Sequence, residues 1–184
     1  MTTDNFTLEE IINEAQLQSR IEAIASEIAT AFRGQELIAV GLLKGSFVFL
    51  ADIARLLHKN DIPVIIDFMI TSSYGSGTQS SGTVEMSRDI TTDITNRHVL
   101  LIDDILDTGR TLAFVNQHLL KKNPLSVTTC VFLDKPDRRA VPFQADYVGF
   151  TVPDTFVVGY GLDYDSRFRE LPHISRVSFT PLDE

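Results

Sequence analysis

The sequence predicts an α/β fold with a mostly parallel central sheet flanked by helices, and three observations carry that prediction. Short apolar runs rich in Val, Ile and Leu, at 37–43, 63–69, 99–103 and 126–133, have the length and two-faced hydrophobicity of strands buried in a parallel sheet. Between the first two, and again after the third, lie segments whose apolar residues recur at three- and four-residue steps, as the crossovers of a parallel sheet require. The 184 residues, 43% hydrophobic and 22% charged, contain no repeat, linker or composition break, so a single domain over 1–184 is expected.

Each element has its own local reason. Thr7-Leu8-Glu9-Glu10 has capping-box spacing and predicts a helix entry. Leu17, Ile21, Ile24, Ile28 and Phe32 carry the helix itself, with Gly34 as its stop. After the strand at 37–43, Phe47, Leu50, Ala51, Ala54 and Leu57 mark the apolar face of the next helix. The strand at 63–69 runs into 71–83, which is almost wholly small, polar and hydroxyl-bearing and has too little apolar area to offset the entropy of ordering. Tyr74 in so polar a context favours a mobile active-site lid over an idle surface loop. The strand at 99–103 is followed by a helix near 112–121 that ends before Pro124, then by strands at 126–133 and 147–150. Residues 134–184 hold short apolar runs without a convincing helix, which allows a small terminal lobe or hood.

Composition excludes several classes. A net charge of −9 without a basic patch argues against a nucleic-acid partner. No apolar run approaches the roughly 18 to 20 residues of a membrane span. The start, Met1-Thr2-Thr3-Asp4-Asn5-Phe6, lacks the basic and apolar regions of a signal peptide, so a cytoplasmic location is expected. Cys130, the one cysteine, has Val127, Val131, Phe132 and Leu133 around it and reads as a buried strand thiol. His58, His98, His118 and His173 lack zinc-ligand spacing, and Arg138-Arg139 reads as a solvated turn.

The chemistry concentrates after residue 99. Four apolar residues empty into Asp103, Asp104 and Asp107, so three carboxylates fall at a strand's carboxyl end, where open α/β sheets bind ligands. Thr108-Gly109-Arg110-Thr111 then opens a helix, bringing free backbone N–H groups and two hydroxyls to one small volume suited to a phosphate monoester. Lys44-Gly45-Ser46, between a strand and a helix start, makes a second anion site. Mg²⁺ and oriented amides would reconcile an acidic chain with a polyphosphate substrate. Asp103-Asp104-Ile105-Leu106-Asp107 also spells the aspartate-rich motif of all-helical prenyl diphosphate synthases, but there the carboxylates need a helix, and here a strand precedes them. A signalling receiver domain, whose first strand ends in an acidic pair, would need more chain after Asp103.

This segment resembles the phosphoribosyl pyrophosphate signature of the purine phosphoribosyltransferases, in particular the hypoxanthine and hypoxanthine-guanine enzymes, and the resemblance runs from about residue 36 to 171. The family usually has Glu then Asp where this chain has Asp103-Asp104, one methylene shorter. The resemblance implies a type I phosphoribosyltransferase-like fold with a small hood, formed mainly by the C-terminal part, and a flexible active-site loop. It implies that Asp103 and Asp104 meet the ribose hydroxyls and Mg²⁺, that Asp107 is the general base, and that Thr108, Gly109, Arg110 and Thr111 hold the 5-phosphate. Lys44 and Gly45 would form the pyrophosphate loop, with a cis peptide before the lysine. Ser73 and Tyr74 would belong to the lid. Lys135 would donate to the 6-oxygen of the purine, Phe156 would stack on the base, and backbone groups of Val157 would read its edge. Asp163 would associate with the metal beside the purine, and Arg169 with pyrophosphate. Phosphoribosyl pyrophosphate and 6-oxopurine bases are the implied partners, in a homodimer or homotetramer. One non-enzymatic alternative stays open, a nucleotide-sensing regulator on the same fold. Such a protein should lack the base or the lid, yet Asp107, Lys135, Phe156, Ser73 and Tyr74 are all present.

Overall fold

A computed structural model describes residues 6–73 and 84–179. Five strands run parallel: β2 (Leu37–Leu43), β3 (Val64–Ser73), β5 (His98–Leu106), β6 (Ser126–Asp134) and β7 (Tyr147–Thr151). With β4 (Val84–Arg88) antiparallel at one edge, they form a sheet of order β4-β3-β2-β5-β6-β7. From β2 the chain steps outward to β3 and later returns to β5 on the other side. A topological switch point therefore lies between β2 and β5, where ligand clefts form.

Side-chain alternation divides the core between the two faces. Leu37, Ala39, Leu100 and Ile102 join the cluster beneath α1 (Glu14–Ala31) and α2 (Phe47–Lys59), while Ile38, Val40, Leu42, Val99 and Leu101 face α3 (Arg110–Leu120). Cys130 is fully buried on the α1/α2 side, where burial pushes its thiol pKa up and out of the reactive range. Among the described residues no helix is long and apolar enough to cross a membrane.

Four local expectations shift. Thr7 to Glu10 lie in a strand, β1 (Phe6–Ile12), and the helix entry follows it: Asn13 accepts from the Gln16 amide at 2.9 Å and its own amide donates to Gln16 Oε1 at 3.0 Å. β1 pairs antiparallel with β9 (Ile174–Phe179), which also pairs with β8 (Val157–Val158). This three-stranded hood joins the two ends of the described chain, a long-range pairing that local spacing does not reveal. The buried face of α2 is Phe49, Leu50, Ile53, Ala54 and Leu57, with Phe47 45% exposed, because the helix begins one residue after Ser46 and its apolar stripe is rotated accordingly. α3 begins at Arg110, two residues before its first apolar contact. β3 extends through Ser73 because β4 supplies its partner, so the first three residues of the expected loop are strand. Tyr74 and the rest of that loop lie outside the described residues.

Asp67 on β3 pins the segment beyond β4. Its carboxylate accepts backbone N–H bonds from Phe68, Thr91 and Thr92, each at 2.8 Å. Burial alone would raise its pKa, but these amide bonds outweigh it and hold the group at about 2 against an ordinary 3.8. The folded pKa is depressed, so the stabilisation is present above pH 4 and is lost as pH falls through 2. Asp67→Asn should therefore cost about 2 kcal/mol at pH 7. Urea unfolding at a series of pH values should show the gap between variant and wild type closing between pH 4 and 2, and a gap independent of pH would contradict this account.

Candidate active site

The carboxyl edge at the switch point opens into a cleft of about 390 Å³. Lys44, Gly45, Asp103, Asp104, Asp107, Thr108, Gly109, Arg110 and Thr111 all line it, joined by Thr71 and Arg138. Two loops from neighbouring strands build its walls. After β2, the Leu43-Lys44 peptide is cis, as the resemblance implies, and Ser46 Oγ donates to the Leu42 carbonyl at 2.7 Å to hold the turn into α2. After β5, Gly109 takes a left-handed φ of 82° and caps α3, a conformation that favours glycine. The first amides of α3 have no acceptor within the helix and stand at the positive end of its dipole. That end is a ready anion site.

The acidic pair meets the first loop at close range. Continuing the alternation of β5, Asp104 leaves the sheet on the α2 side, and a Cβ placed on Gly45 would overlap its carboxylate. Any larger residue at 45 would have to displace that carboxylate. Among the described residues neither Asp103 nor Asp104 forms an ion pair, and Asp103 Oδ1 accepts from the Asp104 amide at 3.0 Å. Burial raises both pKa values; the charge of Asp104 pushes Asp103 up further, while Arg169 pulls Asp104 back. A buried carboxylate pair in this state calls for a cation or hydroxyl donors. Its hard oxygens suit Mg²⁺, yet among the described residues no three acidic, imidazole or thiolate groups converge to complete an ion's shell. Substrate phosphates would have to supply the remaining ligands, as is usual for Mg²⁺.

The hood closes over the Lys44-Gly45 turn. A Cβ on Gly161 would overlap the Gly45 carbonyl, so the hairpin after β8 lies directly against that turn. Tyr160 Oη donates to Asp52 on α2 at 2.5 Å, and Arg169 Nη1 donates to the Gly161 carbonyl at 2.5 Å. Arg169 also pairs with Asp163 at 2.6 Å, while Asp163 accepts from the Ser166 amide at 2.8 Å. Thus Asp163 and Arg169 stand beside the cleft rather than in its lining, linked to Asp104 through the field of Arg169.

The expected purine residues form a neighbouring group. Lys135, 7% exposed, donates from Nζ to the Thr155 carbonyl at 2.6 Å. Burial lowers its pKa, opposed by the charges of Asp107 and Asp154. Phe156 is 46% exposed and meets Tyr164 edge-on with ring centroids 5.7 Å apart. Val157 is buried in β8 and pairs with Arg176. Ser73 ends β3, and Tyr74 is outside the described residues.

Arg138 and Arg139 do lie in a turn, with Arg138 exposed and Arg139 half-buried, but both side chains are engaged rather than idle. Arg139 donates to the carbonyls of Leu106 and Asp107 and to the Asp134 carboxylate, clamping the backbone of the acidic loop. The Ala140 amide adds a bond to the Thr108 carbonyl at 2.9 Å. Arg138 Nε reaches Asp107 Oδ1 at 2.6 Å. Charge counting missed them because most of their partners lie on the loops of other strands, Asp134 alone being local. The usable signal was position, since both follow β6 at the same carboxyl edge.

A cleft at the β2/β5 switch point, with an acidic pair, a glycine-capped helix start and a Lys-Gly turn under a small hood, defines a type I phosphoribosyltransferase. The chain belongs to that family, matching the phosphoribosyl transferase domain over residues 8–165. It is 47% identical over 168 residues to the hypoxanthine-guanine phosphoribosyltransferase of Aquifex aeolicus, covering 91% of this chain and 93% of the relative. Among solved structures it is similar to a hypoxanthine-guanine phosphoribosyltransferase from Bacillus anthracis, with TM-score 0.85, 39% identity and coverage of 95% and 100%. It is also similar to the hypoxanthine phosphoribosyltransferase of Trypanosoma cruzi in complex with the product IMP, with TM-score 0.84, 40% identity and coverage of 91% and 92%.

Proposed function

We propose that this chain transfers the 5-phosphoribosyl group from phosphoribosyl pyrophosphate to hypoxanthine, and to guanine, yielding IMP or GMP and pyrophosphate. The observation that carries this reading is the single cleft that gathers Lys44-Gly45, the acidic pair and the Asp107–Thr111 loop. The bond from a purine ring nitrogen to C1 of the ribose forms as the C1–oxygen bond to pyrophosphate breaks, and the ring proton passes to Asp107. The α3 amides with Thr108 and Thr111 hold the 5-phosphate, Lys44, the Gly45 turn and Arg169 hold pyrophosphate, and Asp103 and Asp104 accept from the ribose hydroxyls. Asp103 and Asp104, with Asp163 beside them, would hold Mg²⁺ brought by the diphosphate, where it would supply charge neutralisation for the leaving group. Lys135 donates to the 6-oxygen and disfavours adenine, whose amino group is a donor. Phe156 offers its exposed face to the base, Val157 its backbone groups to the purine edge, and Ser73-Tyr74 the lid. The setting we assign is a cytoplasmic homodimer or homotetramer.

The regulator alternative is not favoured, because a non-catalytic sensor has no use for the base and the 6-oxygen donor together. The test is a steady-state assay of nucleotide formation from hypoxanthine, guanine, xanthine and adenine, with and without Mg²⁺. Turnover of hypoxanthine and guanine that needs Mg²⁺, with adenine inert, is the expected result. Binding of the substrates without any turnover would instead revive the regulator.

A further inference from the structure

Arg138 has no part in the reading above, yet it stands in the cleft wall beside Asp107. Its guanidinium spans two loops: Nε donates to Asp107 Oδ1 at 2.6 Å and Nη1 to Asp154 Oδ1 at 3.2 Å. Asp154 immediately precedes Thr155, whose carbonyl takes the Lys135 ammonium, and Phe156. Asp107 opens the loop after β5, whereas Asp154 opens the segment that carries the groups expected to meet the purine.

We propose that Arg138 is a positioning residue that fixes the orientation of the Asp107 carboxylate and ties it to the 154–157 segment, so that base and purine pocket move as one unit. The inference rests on Asp107 being the general base. Three features support it. First, Asp107 has only its Oδ1 engaged by Arg138, and among the described residues Oδ2 is left for another donor such as a ring N–H. A carboxylate held by one oxygen cannot rotate freely, so the remaining oxygen keeps one direction. Second, two carboxylates on separate loops repel, and a planar guanidinium satisfies both through different nitrogens where an ammonium acts as a single point charge. Third, Arg139, the next residue, already clamps the Asp107 carbonyl, so backbone and side chain of the base are held from adjacent positions of one turn. The ion pair itself is 39% and 37% exposed at its two ends, too open to add much stability.

The experiment is Arg138→Met, Arg138→Lys and Asp154→Asn, with Arg138→Met also placed in an Asp107→Asn background. The readouts are kcat, KM for each substrate and the thermal midpoint. Arg138→Met should lower kcat by about tenfold or more while KM for phosphoribosyl pyrophosphate and the thermal midpoint stay near wild type. Arg138→Lys should recover part of the loss, Asp154→Asn should act in the same direction, and Arg138→Met should add little to Asp107→Asn. Unchanged kcat in Arg138→Met beside a crippled Asp107→Asn overturns the bridge and leaves the base in place. Full additivity of the two losses, or a kcat loss that tracks a fall in thermal midpoint across all three variants, also overturns it. Near wild-type turnover of Asp107→Asn removes instead the reading on which the bridge depends.

Discussion

Asp107→Asn is expected to lower kcat by about 10²- to 10⁴-fold, the usual worth of a positioned general base. Asparagine keeps the shape of the side chain and can still accept from Arg138 through its carbonyl oxygen, but it cannot take the ring proton. The backbone should not move, because Arg139 holds the carbonyls of Leu106 and Asp107 and the Ala140 amide holds that of Thr108. In the proposed reading phosphoribosyl pyrophosphate is bound by other groups, the α3 amides and the Lys44-Gly45 turn, so its KM should stay within about twofold of wild type, as expected when a group acts only in the transition state. Steady-state kinetics with hypoxanthine as the varied and then the fixed substrate separates the two quantities. A variant that turns over normally would show that the base lies elsewhere.

Lys135→Met should have the second-largest effect, on base selection. A charged hydrogen bond to the 6-oxygen is worth about 1.5 to 3 kcal/mol, so kcat/KM for hypoxanthine should fall roughly 10- to 100-fold. Adenine, now facing no ammonium, should lose less, and the preference for 6-oxopurines should narrow. Stability should change little. Lys135 is buried with one carbonyl partner, and burial already lowers its pKa, so an apolar side chain of similar length removes an ammonium that is costly to desolvate. Competition assays between hypoxanthine and adenine, with a thermal melt of the same preparation, test both halves. A loss of folded protein equal to the loss of activity would return Lys135 to a packing role.

What could be read without coordinates was whatever is contiguous. The β5 strand, the acidic loop and the start of α3 follow one another over residues 98–120, so strand period, carboxylates, glycine and helix onset spell the proposed phosphate cradle directly. Lys44-Gly45 was legible for the same reason, lying between β2 and α2. Thr7 to Glu10 misled because capping-box spacing also fits a strand, and the deciding contact, β9, lies at the far end of the described chain. Arg138 and Arg139 looked like idle charges because Arg138 finds the Asp107 carboxylate, and Arg139 the Asp107 carbonyl, across the loop after β5.

By itself the sequence determined the alternation of strands and helices, the family, and the residue types at each loop of the cleft, because hydrophobic period and turn chemistry are local properties. Only the tertiary structure decided that Asp104 lies against Gly45, that Gly161 rests on the Gly45 carbonyl, and that Arg138 joins Asp107 to Asp154. Those contacts are set by sheet order and loop packing, which bring distant segments within van der Waals range and which no spacing along a single chain encodes.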